Sequence, residues 1–158
     1  MIYSRAIMVS LLFCAFAALT LAQQKTKLEG VWEMISAKSN GKDLPLVGRQ
    51  LKTITKTRWT WIYQDRKQAV SLLAKKTHED SLMAYLSLGA GAGTYKLVGS
   101  TYTETPDFFQ ELEYIGVPLE LTVKVEGDKM FQAGKFPVFD GGKKVREVVL
   151  EEVYKRIE

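Results

Sequence analysis

The chain has 158 residues, with 22 Lys and Arg against 18 Asp and Glu, a single His, a single Cys and a hydrophobic fraction of 46%. Such proportions fit one globular domain and exclude a collagen-like, a disulfide-stapled or an intrinsically disordered chain. The charge of +4 is scattered, with short pairs such as Lys75-Lys76 and Lys143-Lys144, whereas nucleic acid binding calls for a clustered basic face with stacking aromatics. No nucleic acid partner is expected.

In the first 22 residues Arg5 is the only charge, an apolar run extends from Ala6 to Leu19, and Thr20-Leu21-Ala22 supplies small residues where a signal peptidase cuts. This reads as a cleaved secretory signal, residues 1–22, ahead of a single domain, residues 23–158. A transmembrane anchor is the rival reading, but the run is shorter than the roughly 20 apolar residues a span needs and has no cationic flank on its far side. Leu11-Leu12-Phe13-Cys14 is a poor lipoprotein box, because Phe13 stands where a small residue is wanted. Cleavage would leave 136 residues with 21 basic and 18 acidic side chains, a charge of +3, and no Cys. The expected product is secreted or periplasmic, has no stable membrane anchor and needs no covalent staple, since a chain of this size buries roughly two-thirds of its unfolded surface.

Strand patterns follow in chain order. Gly30 to Ala37 and Arg49 to Thr55 are candidates, and Arg58 to Tyr63 sets Trp59, Trp61 and Tyr63 on one face against Arg58, Thr60 and Ile62 on the other. From Arg66 to Leu88 β-branched residues are few and helix formers many, with Ala69, Leu72, Leu73 and Lys76 at helical spacing. Thr77 to Asp80 can cap a second short helix through Leu82, Met83 and Leu86. A long strand hairpin is the competing reading. Gly89, Gly91 and Gly93 are expected to form a bulge or loop before a strand at Thr94 to Val98. Thr101 to Thr105 follows a turn at Gly99-Ser100. Leu119 to Glu126 alternates apolar and polar residues, turns at Gly127-Asp128 and returns through Lys129 to Ala133. Val145 to Ile157 closes the chain. Eight or so strands joined by short turns predict an all-β barrel or sandwich with a helical insertion.

The residues that could carry chemistry are few. His78 is the sole His and the mature chain would hold no Cys, so neither a metal site nor a Ser-His-Asp arrangement is expected, and no cofactor is called for. Gly89-x-Gly91-x-Gly93 precedes a strand instead of opening a helix, unlike a phosphate loop. Tyr102 shares a face with Glu104, and Glu152 shares one with Leu150, Tyr154 and Arg156. If these faces point inward, the barrel interior holds Glu104, Glu152 and Arg156, where charges must pair. If they point outward, Val149, Val153 and Ile157 fill the core, and parity leans this way. Paired carboxylates could serve a hydrolase, but no aromatic sugar platform accompanies them.

Gly30-Val31-Trp32 in the first strand and Arg156 in the last resemble the pattern of the lipocalins and the wider calycin superfamily. The order of Gly93-Thr94-Tyr95, Tyr102 to Thr105 and Leu121 to Asp128 is similar to that of small bacterial secreted lipocalin-like domains. The resemblance implies an antiparallel up-and-down eight-stranded barrel, with Arg156 packed over the Trp32 ring as a structural closure and with Tyr102, Glu104, Glu152 and Tyr154 inward. The helical insertion at 66–88 departs from that pattern, as does the absence of a disulfide.

The function expected is that of an exported, non-enzymatic binding protein holding a small hydrophobic or amphipathic ligand inside the barrel. Trp59, Trp61, Tyr63, Tyr102, Leu121 and Val123 would line the site, with Arg58, Glu104 and Glu152 as polar handles. A barrel with a solid core, acting as a cell-envelope interaction module that recognises a protein or a polysaccharide through residues 66–88, is the alternative. No catalytic residue is assigned, and the sequence sets no oligomeric state.

Overall fold

The computed structural model describes residues 27–74 and 77–158. The expected signal segment, with Cys14, lies outside them. Nine strands run in chain order: β1 (Gly30–Ser39), β2 (Lys42–Leu44), β3 (Arg49–Ile54), β4 (Arg58–Gln64), β5 (Leu88–Val98), β6 (Thr101–Phe109), β7 (Leu119–Glu126), β8 (Lys129–Asp140) and β9 (Lys143–Arg156). Two helices, α1 (Arg66–Ala74) and α2 (His78–Leu86), stand between β4 and β5. Every pairing is antiparallel, β3 to β9 follow one another around the sheet, and β1 pairs with both β3 and β9. Since β2 pairs with β1 alone, the other eight strands form a closed up-and-down barrel, and closure removes the unpaired edges an open sheet would expose.

The inner face is set by side-chain parity. On β4 Trp59, Trp61 and Tyr63 point inward, and on β7 Leu119, Leu121 and Val123 do so, as alternation predicts. In β9 the even-numbered residues Val148 to Arg156 take the interior, whereas Val149 and Ile157 are partly exposed. The outward alternative for Glu152 is thereby corrected. Its parity argument failed because Val145, Val149 and Val153 supply a β-branched stripe on the outer wall, where packing against neighbouring strands also favours such residues.

Two boundaries differ from expectation. Leu88 to Gly93 is not a loop but the first half of β5, paired with β4 residue by residue, and the bulge lies where β5 meets β6, between Ala92 and Gly93. An alanine Cβ at Gly93 would fall 2.8 Å from the Pro106 backbone, so this glycine permits the close approach. The hairpin that ends at Ala133 by pattern continues in β8 to Asp140, through Pro137.

The insertion is helical, as composition predicts. Thr77 caps α2, its Oγ1 accepting from the Asp80 amide at 3.0 Å. His78 is exposed at the head of that helix. Among the described side chains of the two helices only Ala69 and Ala84 are buried. The pair packs mainly on itself.

One end of the barrel is sealed. Leu28 and Trp32 are buried with Ile54, Trp59, Tyr102, Leu121, Val123, Met130 and Tyr154 in one core. The Trp32 indole donates to the Leu28 carbonyl at 2.8 Å, and the Arg156 guanidinium lies 4.1 Å from the centre of its ring. Arg156 also donates to the Glu29 carbonyl at 2.5 Å and to that of Lys27. A cation on an aromatic face plus two charged hydrogen bonds ties the last strand to the segment that precedes the first. Gly30 belongs to the same arrangement: its φ of 142° suits glycine, and a Cβ there would strike the guanidinium.

Candidate functional site

Above the sealed core lies a layer of buried polar side chains drawn from four strands. Gln50 and Lys52 come from β3, Glu104 from β6, Gln132 from β8, and Glu152 with Tyr154 from β9. Lys52, Glu104 and Gln132 are each no more than 4% exposed. The Lys52 ammonium lies 2.5 Å from Glu104 Oε1 and donates to Gln132 Oε1 at 2.9 Å. It also stands 5.6 to 5.9 Å from the ring centres of Tyr102, Trp59 and Tyr154, a cage of aromatic faces about one cation. Glu152 Oε2 accepts from the Tyr154 hydroxyl at 3.0 Å and from Gln132 Nε2 at 3.4 Å. Gln50 Nε2 donates in turn to the Tyr154 oxygen at 2.9 Å.

Not every polar group in this layer is satisfied. Glu104 Oε1 is met by the Lys52 ammonium, whereas the Tyr102 hydroxyl, beside the Glu104 carboxylate, is buried without a hydrogen bond of good geometry. The Tyr102 phenol is pushed well above its ordinary range by burial first and by the Glu104 carboxylate second. Burial, then Glu152 and Glu104, does the same to Tyr154, so both phenols stay neutral. Burial also raises the Glu152 carboxyl, against the opposing pull of Lys52 and the Tyr154 hydroxyl, and Glu104 adds to the rise. Two carboxylates facing one ammonium in a low-dielectric interior cannot both ionise at low cost.

The polar layer forms the floor of a cavity of about 230 Å³. Its walls are apolar and aromatic. Trp61 meets Phe109 edge to face at 5.5 Å, Phe109 stacks on Tyr114 at 4.7 Å, and Leu119, Phe136 and Leu150 complete the enclosure. Room for the Trp61 indole comes from β5, where a Cβ at Gly89 or Gly91 would lie within 3 Å of its ring. The glycine run read as a loop is therefore the part of the wall on which Trp61 rests. Glu111 and Gln110 stand at the rim.

The residues expected to line a site fall in four places. Trp61, Glu104 and Glu152 border the cavity. Trp59, Tyr102, Leu121 and Val123 lie below the floor in the sealed core, where Trp59 donates from its indole to the Thr94 carbonyl at 3.0 Å. Tyr63 faces inward but its ring lies against Gly48, away from the cavity wall. Arg58 is on the outer face, half exposed and paired with Asp107 at 2.6 Å. It is no polar handle for the interior, because it alternates with Trp59 and therefore points the other way. Trp32 and Arg156 are where the closure reading puts them.

Lys52, Gln50 and Gln132 were not among the expected site residues. In β3 both parities carry an apolar residue, Leu51 on one and Ile54 on the other, so alternation cannot choose a face. The available signal was Ile54, whose parity Gln50 and Lys52 share. Gln132 was similarly legible, two places beyond Met130.

Among the described residues no cluster of His, Cys, Asp and Glu suits a metal ion, and no helix is long and apolar enough to cross a membrane. Fold and cavity together define a closed antiparallel barrel with a sealed base and a small amphipathic chamber above a charged floor. Neither a comparison with models of protein families nor one with curated proteins gives a match to this chain.

Proposed function

We propose that this protein is an exported, calycin-like binding barrel that holds one small amphipathic molecule, its polar end on the floor and its apolar part against the aromatic wall. The observation that carries the reading is the pairing of an unfilled chamber of about 230 Å³ with a floor of buried charged and polar side chains. Protein interiors are otherwise close-packed, and few voids exceed a water molecule. The Trp32 and Arg156 contact supports the superfamily assignment, and the apolar run from Ala6 to Leu19 supports export to the periplasm or medium. The hydrolase alternative gains nothing from the geometry, since Lys52 already occupies Glu104. Incubating the purified domain with extract of the producing cells and recording native mass spectra is the test. A bound species below a few hundred daltons is expected, and an unliganded spectrum under every condition would overturn the reading.

One observation favours the second reading, an interaction module. The helical pair exposes Leu82, Met83, Tyr85 and Leu86, with Tyr85 71% exposed. Gln64 pairs with Leu88, so residues 65–87 can be replaced by an Asn-Gly turn without opening the barrel. A module would lose partner capture in that variant and keep any small ligand. A helical pair that covers the chamber would instead alter ligand release.

A further inference from the structure

The chamber is lined by one basic side chain and three acidic ones. Lys52 faces Glu104 and Glu152 at the floor, and Glu111 stands at the rim. Lys52 is poorly placed for a ligand anion: it is 3% exposed, lies 2.5 Å from Glu104 and donates to Gln132, which takes up two of its three N–H groups. Glu152 differs. Both of its hydrogen bonds reach Oε2, both come from neutral donors, and the residue borders the chamber. Around the opening stand Trp61, Phe109, Tyr114 and Phe136, rings whose faces attract a cation as well as hydrocarbon. The same molecule already keeps one ammonium, that of Lys52, among three such rings.

We propose that the polar end of the ligand is a cation, a protonated amine, and that Glu152 is its counter-ion. This rests on the binding reading above and names the ligand's chemistry. An ammonium entering the chamber supplies the positive charge that two floor carboxylates lack, and its N–H groups reach the oxygen of Glu152 that Tyr154 and Gln132 leave free. A cavity of about 150 Å³ suffices for benzene, so this one admits an aromatic ring with a short aminoalkyl chain.

Because binding needs Glu152 ionised, an amine and a proton compete for this carboxylate. The groups facing Glu152 are Lys52 from β3, Glu104 from β6 and Tyr154 on its own strand, with uncharged Gln132 from β8. Lys52 and the Tyr154 hydroxyl favour its ionisation, whereas burial and Glu104 oppose it. Affinity for an amine therefore rises as pH climbs through the raised range of Glu152, until the amine itself loses its proton.

Calorimetric titration of the domain with 2-phenylethylamine, 2-phenylethanol and 3-phenylpropanoate, three probes of similar size, tests the idea. The amine should bind at least tenfold more tightly than the alcohol near neutral pH, with the carboxylate weakest, and Glu152→Gln should bring the ratio of amine to alcohol close to one. Equal binding of amine and alcohol would overturn the charge assignment while leaving the chamber a ligand site. Preference for the carboxylate would overturn it and point to Lys52. Binding of none of the three would overturn the assignment, and the native mass spectra then judge the binding reading separately. If Glu152→Gln fails to fold, the wild-type ratio of amine to alcohol affinity decides, because a ratio close to one contradicts the counter-ion.

Discussion

Lys52 is the single cation of the buried layer, and its removal leaves Glu104 and Glu152 uncompensated. Lys52→Met should cost about 3–5 kcal/mol in urea unfolding, the range for an orphaned buried charge. Adding Glu104→Gln to that variant should recover most of the loss, because a neutral amide no longer needs the ammonium. A double-mutant cycle measures the coupling directly. Glu152 gives the opposite sign. Its carboxyl is raised above the ordinary value of 4.5, so the folded chain holds that proton more tightly than the unfolded one. Its contribution to stability is full below the unfolded value and is lost as pH rises through the folded one. Thermal unfolding of wild type and Glu152→Gln should therefore converge near pH 4 and separate upward, with the Gln variant the more stable at neutral pH. Curves that stay parallel across the range would refute this.

At the level of the elements, β5 carries the least conspicuous requirement. Its glycines have no side chain to bury, yet they set how near β4 and β6 can come to one another's side chains. Gly93→Ala should destabilise the barrel by about 1–3 kcal/mol through the clash with the Pro106 backbone. Hydrogen exchange should show the loss of protection centred on Gly93, Thr105 and Asp107, where β5 and β6 change register. The end of β9 matters for a different reason. Arg156→Ala removes the stacked cation and two charged hydrogen bonds, about 2–4 kcal/mol together. Arg156→Lys should recover little of it, because a single ammonium cannot cover the indole and reach both carbonyls of Lys27 and Glu29.

At the scale of the molecule, the barrel, its closure and its helical insertion were legible in the sequence, and the floor of the chamber was not. Alternation located β4 and β7 because β7 carries apolar residues on one parity only and β4 sets all its aromatic residues on one, and Gly30 with Trp32 and Arg156 announced the sealed end. Two kinds of information were missing. β9 is β-branched on its outer face, so its parity was ambiguous without neighbours. The polar layer is a property of four strands meeting: Lys52, Glu104, Gln132 and Glu152 are unremarkable along the chain and become a site only when closure puts them side by side. Four of the six residues expected to line the site proved to be packed core for a similar reason, since an inward direction is readable from period two but height within a barrel is not.

The contact that seals the base joins residues 127 positions apart, Arg156 and Glu29. Such a contact closes a very long loop, so its formation belongs at the end of folding. During synthesis the first strand is made long before β9 exists, and its outer edge waits for that strand. Every hairpin can form while the ring is still unfastened. For this protein the contact that forms last decides whether the rest becomes a container.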